Sequence, residues 1–132
     1  MTDSTRSGSC SCGTVRFRME LPPLWIAHCH CTMCRRAQGA AFVTWVGADE
    51  SKFVLESGAD SLSRYKSSPP AVRTFCKHCG TPLFFQSTRW PGEVHVTMAS
   101  LDSAEGLEPQ GHVHWNDRVD WVHLGDDRLP RK

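Results

Sequence analysis

Alternating apolar and polar residues run through most of this chain, and a helical pattern is confined to one short stretch. Residues 14–19 and 93–98 alternate with a period of two, as in a half-buried strand. Residues 40–46 are richer in apolar and aromatic side chains, which predicts a buried strand ended by Gly47. Four further strands are predicted, at residues 52–56, 61–66, 71–75 and 83–85.

Residues 31–38 predict a short helix that Gly39 would stop, after a short apolar run at residues 25–27. Glycine and proline separate many of the other segments, and no longer helical pattern occurs. Many short strands separated by glycine and proline predict a mostly β fold of short antiparallel strands with little helix.

A chain of 132 residues is close to the commonest domain size, so we expect a single domain over residues 1–132 with one modest core. Residues 1–6 are polar and are expected to be flexible. The net charge of +1 favours neither a nucleic-acid partner nor a membrane surface. No segment is long and apolar enough for a signal peptide or a membrane span, which predicts a soluble, cytoplasmic protein.

Seven cysteines change this picture, because an odd number cannot all pair within one chain and a cytoplasmic setting keeps thiols reduced. Metal binding is therefore the better hypothesis. Cys29, Cys31 and Cys34 lie within six residues, and three thiolates directed at one point are typical of a zinc site. A zinc ion with three protein ligands keeps a position for water or substrate, as catalytic zinc ions do.

The cysteine spacing allows two divisions of the seven thiols. The two C-x-x-C pairs, Cys31/Cys34 and Cys76/Cys79, could build one closed zinc site, which leaves three cysteines unexplained. Alternatively, Cys10 and Cys12 join Cys76 and Cys79 in a closed four-sulfur site, and the three clustered cysteines form an open site. The residues favour the second division without deciding it.

Three cysteine blocks, in order, resemble the glutathione-dependent formaldehyde-activating enzyme family, which also includes centromere protein V. The blocks are GSCSCG at 8–13, CHCTMCRRAQGA at 29–40 and FCKHCG at 75–80. The segments ASLD at 99–102 and residues 121–130 are also similar to the end of that family's sequences, so the resemblance covers about residues 7–130.

The resemblance implies a zinc-stabilised, Mss4-like β fold with two zinc ions per chain. It places a structural zinc on Cys10, Cys12, Cys76 and Cys79, and a second, catalytic zinc on Cys29, Cys31 and Cys34. Because an electron-rich zinc ion with an open position is easier to remove than one closed by four sulfurs, we expect the second ion to be the more labile. It implies a carbon–sulfur lyase that forms S-(hydroxymethyl)glutathione from formaldehyde and glutathione, or that acts on a related adduct of an aldehyde with a small thiol.

Three negative sulfurs weaken the Lewis acidity of a zinc ion, so we expect the ion to hold the substrate thiol as a thiolate. Glutathione carries two carboxylates, and guanidinium groups bind carboxylates in bidentate fashion. Arg35 and Arg36, directly after the third thiol, are therefore the candidate substrate-binding residues, with Arg73 and Lys77 as weaker ones.

A second hypothesis is a non-catalytic zinc module of the same fold, in which a histidine or a partner closes the three-sulfur site. His28 and His30 are the candidate fourth ligands. In an extended backbone, however, His30 would point away from Cys29 and Cys31. The tail histidines, His112, His114 and His123, alternate with apolar residues and are better explained as strand or core positions than as ligands.

Overall fold

A three-stranded antiparallel sheet forms one layer of the fold. The computed structural model describes residues 4–125 and 127–132. Within them, β1 (Thr5–Ser9) pairs with β2 (Arg16–Glu20), and β2 pairs with β5 (Phe53–Ser57). The expected flexibility of residues 1–6 falls partly on residues 1–3, which lie outside the described ranges, while Thr5 and Arg6 open strand β1.

A seven-stranded sheet forms the second layer. Its strands along the chain are β3 (Trp25–Cys29), β4 (Val43–Asp49), β6 (Leu62–Ser68), β7 (Ala71–Cys76), β8 (Pro82–Ser87), β9 (Glu93–Thr97) and β10 (His112–Val113). They lie in the order β10-β3-β4-β9-β8-β7-β6, and all neighbours are antiparallel except the parallel pair of β3 and β10. The predicted mostly β class is confirmed.

Helix α1 (Thr32–Gln38) is the only α-helix in the described residues, and it follows β3 directly. The Sγ atom of Cys31 caps it by accepting a hydrogen bond from the backbone N–H of Cys34 at 3.2 Å. Gly39 ends it in the left-handed conformation with φ 61°, which confirms the predicted short helix and its stop. None of the described helices has the length and apolarity that crossing a membrane requires.

The main hydrophobic core lies between the two sheets. Phe17 of β2, Phe53 of β5 and Phe84 of β8 contact one another, with ring centroids 5.1 to 5.8 Å apart. Val46 and Val96 complete the same layer and are fully buried. Burying each such side chain contributes about 2 kcal/mol, so this layer holds the sheets together.

The opposite face of the seven-stranded sheet carries a second, smaller core. Side chains alternate between faces along a strand, so Trp45 and Phe85 point away from their neighbours Val46 and Phe84. Cys29 and Cys34 pack into this second cluster. One face of the seven-stranded sheet therefore packs against the other sheet, and the opposite face packs against the segment that carries Cys29 and Cys34.

Gly47 lies inside β4, so the prediction that it ends the strand is wrong. The strand continues to Asp49, and Gly47 pairs with Trp25 on one side and His95 on the other. A Cβ atom at this position would lie 2.4 Å from the Trp25 ring. The glycine instead leaves room for the indole to cross β4 and meet the His95 ring edge to face, with centroids 4.6 Å apart.

We predict that Gly47→Ala destabilises the protein by about 1–3 kcal/mol, because the added methyl group must displace the Trp25 ring or bend the strand. Denaturant unfolding measures the change. Gly125→Ala is the matched control, since a Cβ there would meet no atom within 4 Å. Equal stability of both variants would show that the indole moves at no cost.

Candidate metal centres and active site

Four sulfur atoms from two distant parts of the chain converge between the β1–β2 turn and the β7–β8 turn. The Sγ atoms of Cys10, Cys12, Cys76 and Cys79 all lie within 4.8 Å of one another. The Sγ atom of Cys12 is 3.6 Å from that of Cys10 and 3.9 Å from that of Cys76. Four sulfurs about 2.3 Å from a central zinc ion would be about 3.8 Å apart, so this cluster has the size of a metal site.

The two turns that carry these sulfurs have the same backbone design. The N–H of Gly13 donates to the carbonyl of Cys10 at 3.0 Å, and the N–H of Gly80 donates to that of Cys76 at 2.8 Å. Both glycines have positive φ, 81° and 78°, which other residues rarely adopt. Because the turns belong to different sheets, a metal ion held between them would join the two layers.

Threonine hydroxyls support the exposed sulfur of each turn. Cys12 Sγ lies 3.2 Å from Thr14 Oγ1, and Cys79 Sγ lies 3.2 Å from Thr81 Oγ1. The Thr14 contacts lower the pKa of Cys12, and the Thr81 contacts lower that of Cys79 to about 5. Both changes favour the thiolate, which is the form that binds a metal ion.

The second cluster contains three sulfurs, those of Cys29, Cys31 and Cys34, which also lie within 4.8 Å of one another. Strand β3 ends at Cys29, Cys31 caps helix α1, and Cys34 lies in the first turn of that helix. The tight strand-to-helix transition therefore brings together thiols that an extended chain would separate. The distance from Cys29 Sγ to Cys34 Sγ is 3.5 Å, again close to the separation expected around zinc.

The surroundings of Cys34 favour its thiolate form. Hydrogen bonds from Cys29 and Cys31, together with the Arg73 guanidinium, lower the pKa of Cys34 to about 2. Interaction with Cys31 and Cys34, together with burial, raises the pKa of Cys29. Arg73 Nη2 donates to Cys34 Sγ at 3.5 Å, so a permanent positive charge lies beside the cluster.

Neither sulfur cluster includes a histidine among the described residues. His30 is only 2% exposed, and its Nε2 is 2.9 Å from Nδ1 of His112. The Nε2 of His112 in turn lies 2.8 Å from Asp127 Oδ2, and Nδ1 of His28 lies 2.8 Å from Thr44 Oγ1. The hydrogen bonds of His30 and His112 therefore lead away from the sulfurs, and the described part of the chain supplies three ligands to this cluster.

The three-sulfur cluster opens onto a cavity of about 880 Å³. Aromatic side chains form much of its wall, namely those of Trp25, Trp45, Phe85 and Trp90. Its charged lining residues within the described chain are Arg73, Arg89, Asp117 and Lys132. A cavity of this volume is large enough for a small-molecule ligand, and its mostly apolar wall would exclude water from groups bound beside the sulfurs.

The arginines named from the sequence lie elsewhere. Arg35 is half-buried and Arg36 exposed on helix α1, and neither is among the described residues that line the cavity. Lys77 is exposed and its N–H donates to the carbonyl of Ser61. Arg73, ranked lower from sequence, is the arginine in contact with the cluster, since it stands on the cavity face of β7 opposite Phe85.

Comparisons with known proteins agree with these features. The sequence profile of the family described as glutathione-dependent formaldehyde-activating enzyme matches residues 5–117. A Halomonas elongata protein named "Putative glutathione-dependent formaldehyde-activating enzyme" is 33% identical over 125 residues, covering 89% of this chain and 79% of that protein. An uncharacterized lyase of Schizosaccharomyces pombe is 26% identical over 113 residues, covering 86% of this chain and 80% of that protein.

The fold also matches a solved structure. The crystal structure of a Rhodobacter sphaeroides protein superposes with a TM-score of 0.63 at 31% sequence identity, covering 78% of this chain and 91% of that one. The family profile spans both sulfur clusters and most of the cavity lining. The chain therefore belongs to the glutathione-dependent formaldehyde-activating enzyme family.

Proposed function

We infer that this protein is a zinc-dependent carbon–sulfur lyase that joins formaldehyde and glutathione reversibly to form S-(hydroxymethyl)glutathione. The observation that carries the proposal is the cluster of Cys29, Cys31 and Cys34, which has no fourth ligand among the described residues and faces a ligand-sized cavity. The family match and the name of the Halomonas relative support the choice of thiol and aldehyde.

The sulfur atoms fit zinc by chemistry and by spacing. Thiolate-rich, roughly tetrahedral sites favour zinc over harder cations. We assign the structural ion to Cys10, Cys12, Cys76 and Cys79, and the second ion to the three-sulfur cluster. Cys29, Cys31 and Cys34 would leave such an ion one open position, at which a substrate thiol would be held in its deprotonated form. All seven thiols are free, which supports a reducing compartment such as the cytoplasm.

The residues around the cavity complement the charges of glutathione. The tripeptide carries two carboxylates and one ammonium group, and the lining offers Arg89 and Lys132 as cations and Asp117 as an anion. Charge-assisted hydrogen bonds from these residues would orient the thiol towards the sulfurs. Arg35 and Arg36, on helix α1 outside the cavity lining, remain candidates only for a part of the tripeptide that extends beyond the cavity.

The proposed reaction requires the protein to place the thiolate next to the aldehyde carbon and to stabilise the charge that moves from sulfur to oxygen. An electron pair of the substrate thiolate forms the new carbon–sulfur bond, the π pair of the formaldehyde C=O bond moves to oxygen, and that oxygen takes a proton from water. The apolar wall formed by Trp25, Trp45 and Phe85 limits access of bulk water to the thiolate, which keeps the nucleophile poorly solvated. The reverse sequence releases formaldehyde.

We predict that Cys31→Ser abolishes the protein's acceleration of glutathione–formaldehyde exchange while the fold survives. One of three sulfur ligands is lost, but serine is itself a favourable N-cap, so helix α1 keeps its start. Exchange spectroscopy by NMR, with the uncatalysed rate subtracted, measures the effect. Unchanged acceleration in the variant, or none in the wild-type protein, would contradict the assigned reaction.

A further inference from the structure

Arg73 is a buried charged residue that the described chain does not neutralise with a carboxylate. Its exposed fraction is 8%, and none of the ion pairs between described residues includes it. Taking a guanidinium out of water is costly unless its donors and its charge are matched. A buried guanidinium without a carboxylate partner, next to the three-sulfur cluster, is therefore a candidate for binding a ligand or a substrate.

One edge of the guanidinium is in use. Nη2 donates to Cys34 Sγ at 3.5 Å, and Cζ lies over the Phe85 ring, 5.0 Å from its centroid. Phe85 and Arg73 are direct partners on β8 and β7, so their side chains leave the sheet on the same face. The guanidinium thus contacts a sulfur on one side and an aromatic ring on another.

The other edge is unsatisfied. Nη1 is shielded from solvent and has no hydrogen-bond partner among the described residues. Buried hydrogen-bond donors that lack an acceptor are rare in folded proteins. The missing acceptor of Nη1 is therefore expected to come from a bound molecule. Because guanidinium is a rigid planar fork, Nη1 must lie close to Nη2 and hence to the three-sulfur cluster. Arg73 is one of the residues that line the cavity, so a bound molecule would meet Nη1 after a small rotation of the side chain.

We propose that Nη1 of Arg73 donates a hydrogen bond to the aldehyde oxygen and stabilises the negative charge that this oxygen gains as the carbon–sulfur bond forms. This assignment rests on the proposed reaction and makes Arg73 a catalytic residue. The reacting oxygen is bonded to the very carbon that the sulfur attacks, so it comes close to the cluster. The carboxylates of glutathione lie at the ends of the tripeptide, away from its thiol, and the lining offers two other cations for them, Arg89 and Lys132.

The electrostatics favour this role over proton transfer. A guanidinium stays protonated throughout, so it can donate a hydrogen bond to the developing alkoxide without supplying its proton. A fixed donor aimed at charge that develops in the transition state acts most strongly where water is excluded. The contact of Nη2 with Cys34 keeps the donor in place before the substrate arrives.

The test compares Arg73→Gln and Arg73→Lys with Arg64→Lys, an exposed arginine on the neighbouring strand β6. We expect both Arg73 variants to keep two zinc ions per chain. At saturating glutathione, kcat should fall about 100-fold for glutamine and about 10-fold for lysine, which keeps the charge but loses the fork. The KM for glutathione should change little, and Arg64→Lys should behave as wild type.

Formate provides a second readout that does not need turnover, since it has the size of formaldehyde and carries charge on oxygen. Its binding to the zinc-loaded protein can be followed by fluorescence of the cavity tryptophans, Trp25, Trp45 and Trp90. We expect its affinity to fall about 10-fold or more in both Arg73 variants, in line with the loss of the charge-assisted hydrogen bond from Nη1.

Three outcomes would overturn the assignment: fully loaded Arg73 variants with unchanged kcat, unchanged formate affinity, or loss of the second zinc ion. The last would make Arg73 a counter-charge for the thiolates alone. If wild-type protein does not accelerate the exchange, the proposed reaction fails, and the formate titration still decides whether Arg73 binds an oxyanion.

Discussion

Cys76→Ser is expected to unfold most of the protein at room temperature. Cys76 is fully buried, and its sulfur belongs to the cluster that joins the turns of two different sheets. A structural zinc ion contributes on the order of ten kcal/mol of apparent binding energy, comparable to the whole net stability of a domain. We expect the free energy of unfolding to fall by about 5 kcal/mol or more, measured by denaturant titration and circular dichroism.

Cys31→Ser is the matched control, because it removes a thiol from the three-sulfur cluster and leaves the four-sulfur cluster intact. Its unfolding curve should lie close to that of the wild-type protein. A Cys76→Ser variant that unfolds no more easily than Cys31→Ser would show that packing between the sheets suffices without the metal ion.

Treatment with a mild chelator is expected to remove one zinc ion per chain and to reduce the exchange of glutathione and formaldehyde to its uncatalysed rate. A zinc ion on three sulfurs would keep an open position where a chelator can enter, whereas one on four sulfurs would not. The free energy of unfolding should change by less than about 1 kcal/mol, because the ion joining the sheets stays bound. Zinc released into solution, measured with a chromophoric indicator, follows the loss.

The Cys31→Ser protein serves here as well, since it should hold one ion from the start and show no early release. The idea of two unequal sites fails if both ions leave wild-type protein in a single step together with the fold. Restoring zinc to the chelated wild-type protein should restore the exchange rate, which separates metal loss from irreversible thiol oxidation.

Periodicity alone located the strands whose two faces differ in polarity. Strand β2 alternates in burial as it does in sequence, because only one of its faces is buried. Strand β9 alternates in sequence as well, although both of its faces are covered in the fold. Strand β1, with the sequence TRSGS, was missed because its polar residues adopt a strand only through pairing with β2. Strand β10 is two residues long and depends on β3 in the same way.

The cysteines could be recognised from sequence, but their surroundings could not. Thiol spacing indicates metal binding directly, because ligand types and short separations are local properties. The contact between Arg73 and Cys34 joins residues 39 positions apart, and it depends on the pairing of β7 with β8 and on the path of helix α1. Proximity in sequence therefore favoured Arg35 and Arg36, while folding brought Arg73 to the cluster.

Strand β7 links the two sulfur clusters, since Arg73 reaches one and Cys76 belongs to the other. A zinc ion bound to Cys76 would fix the end of this strand and with it the position of Arg73. Under the proposed function, metal at the four-sulfur cluster would therefore influence catalysis at a site that it does not touch. A chain made without that ion would lack a correctly placed Arg73 even if the three-sulfur cluster were filled.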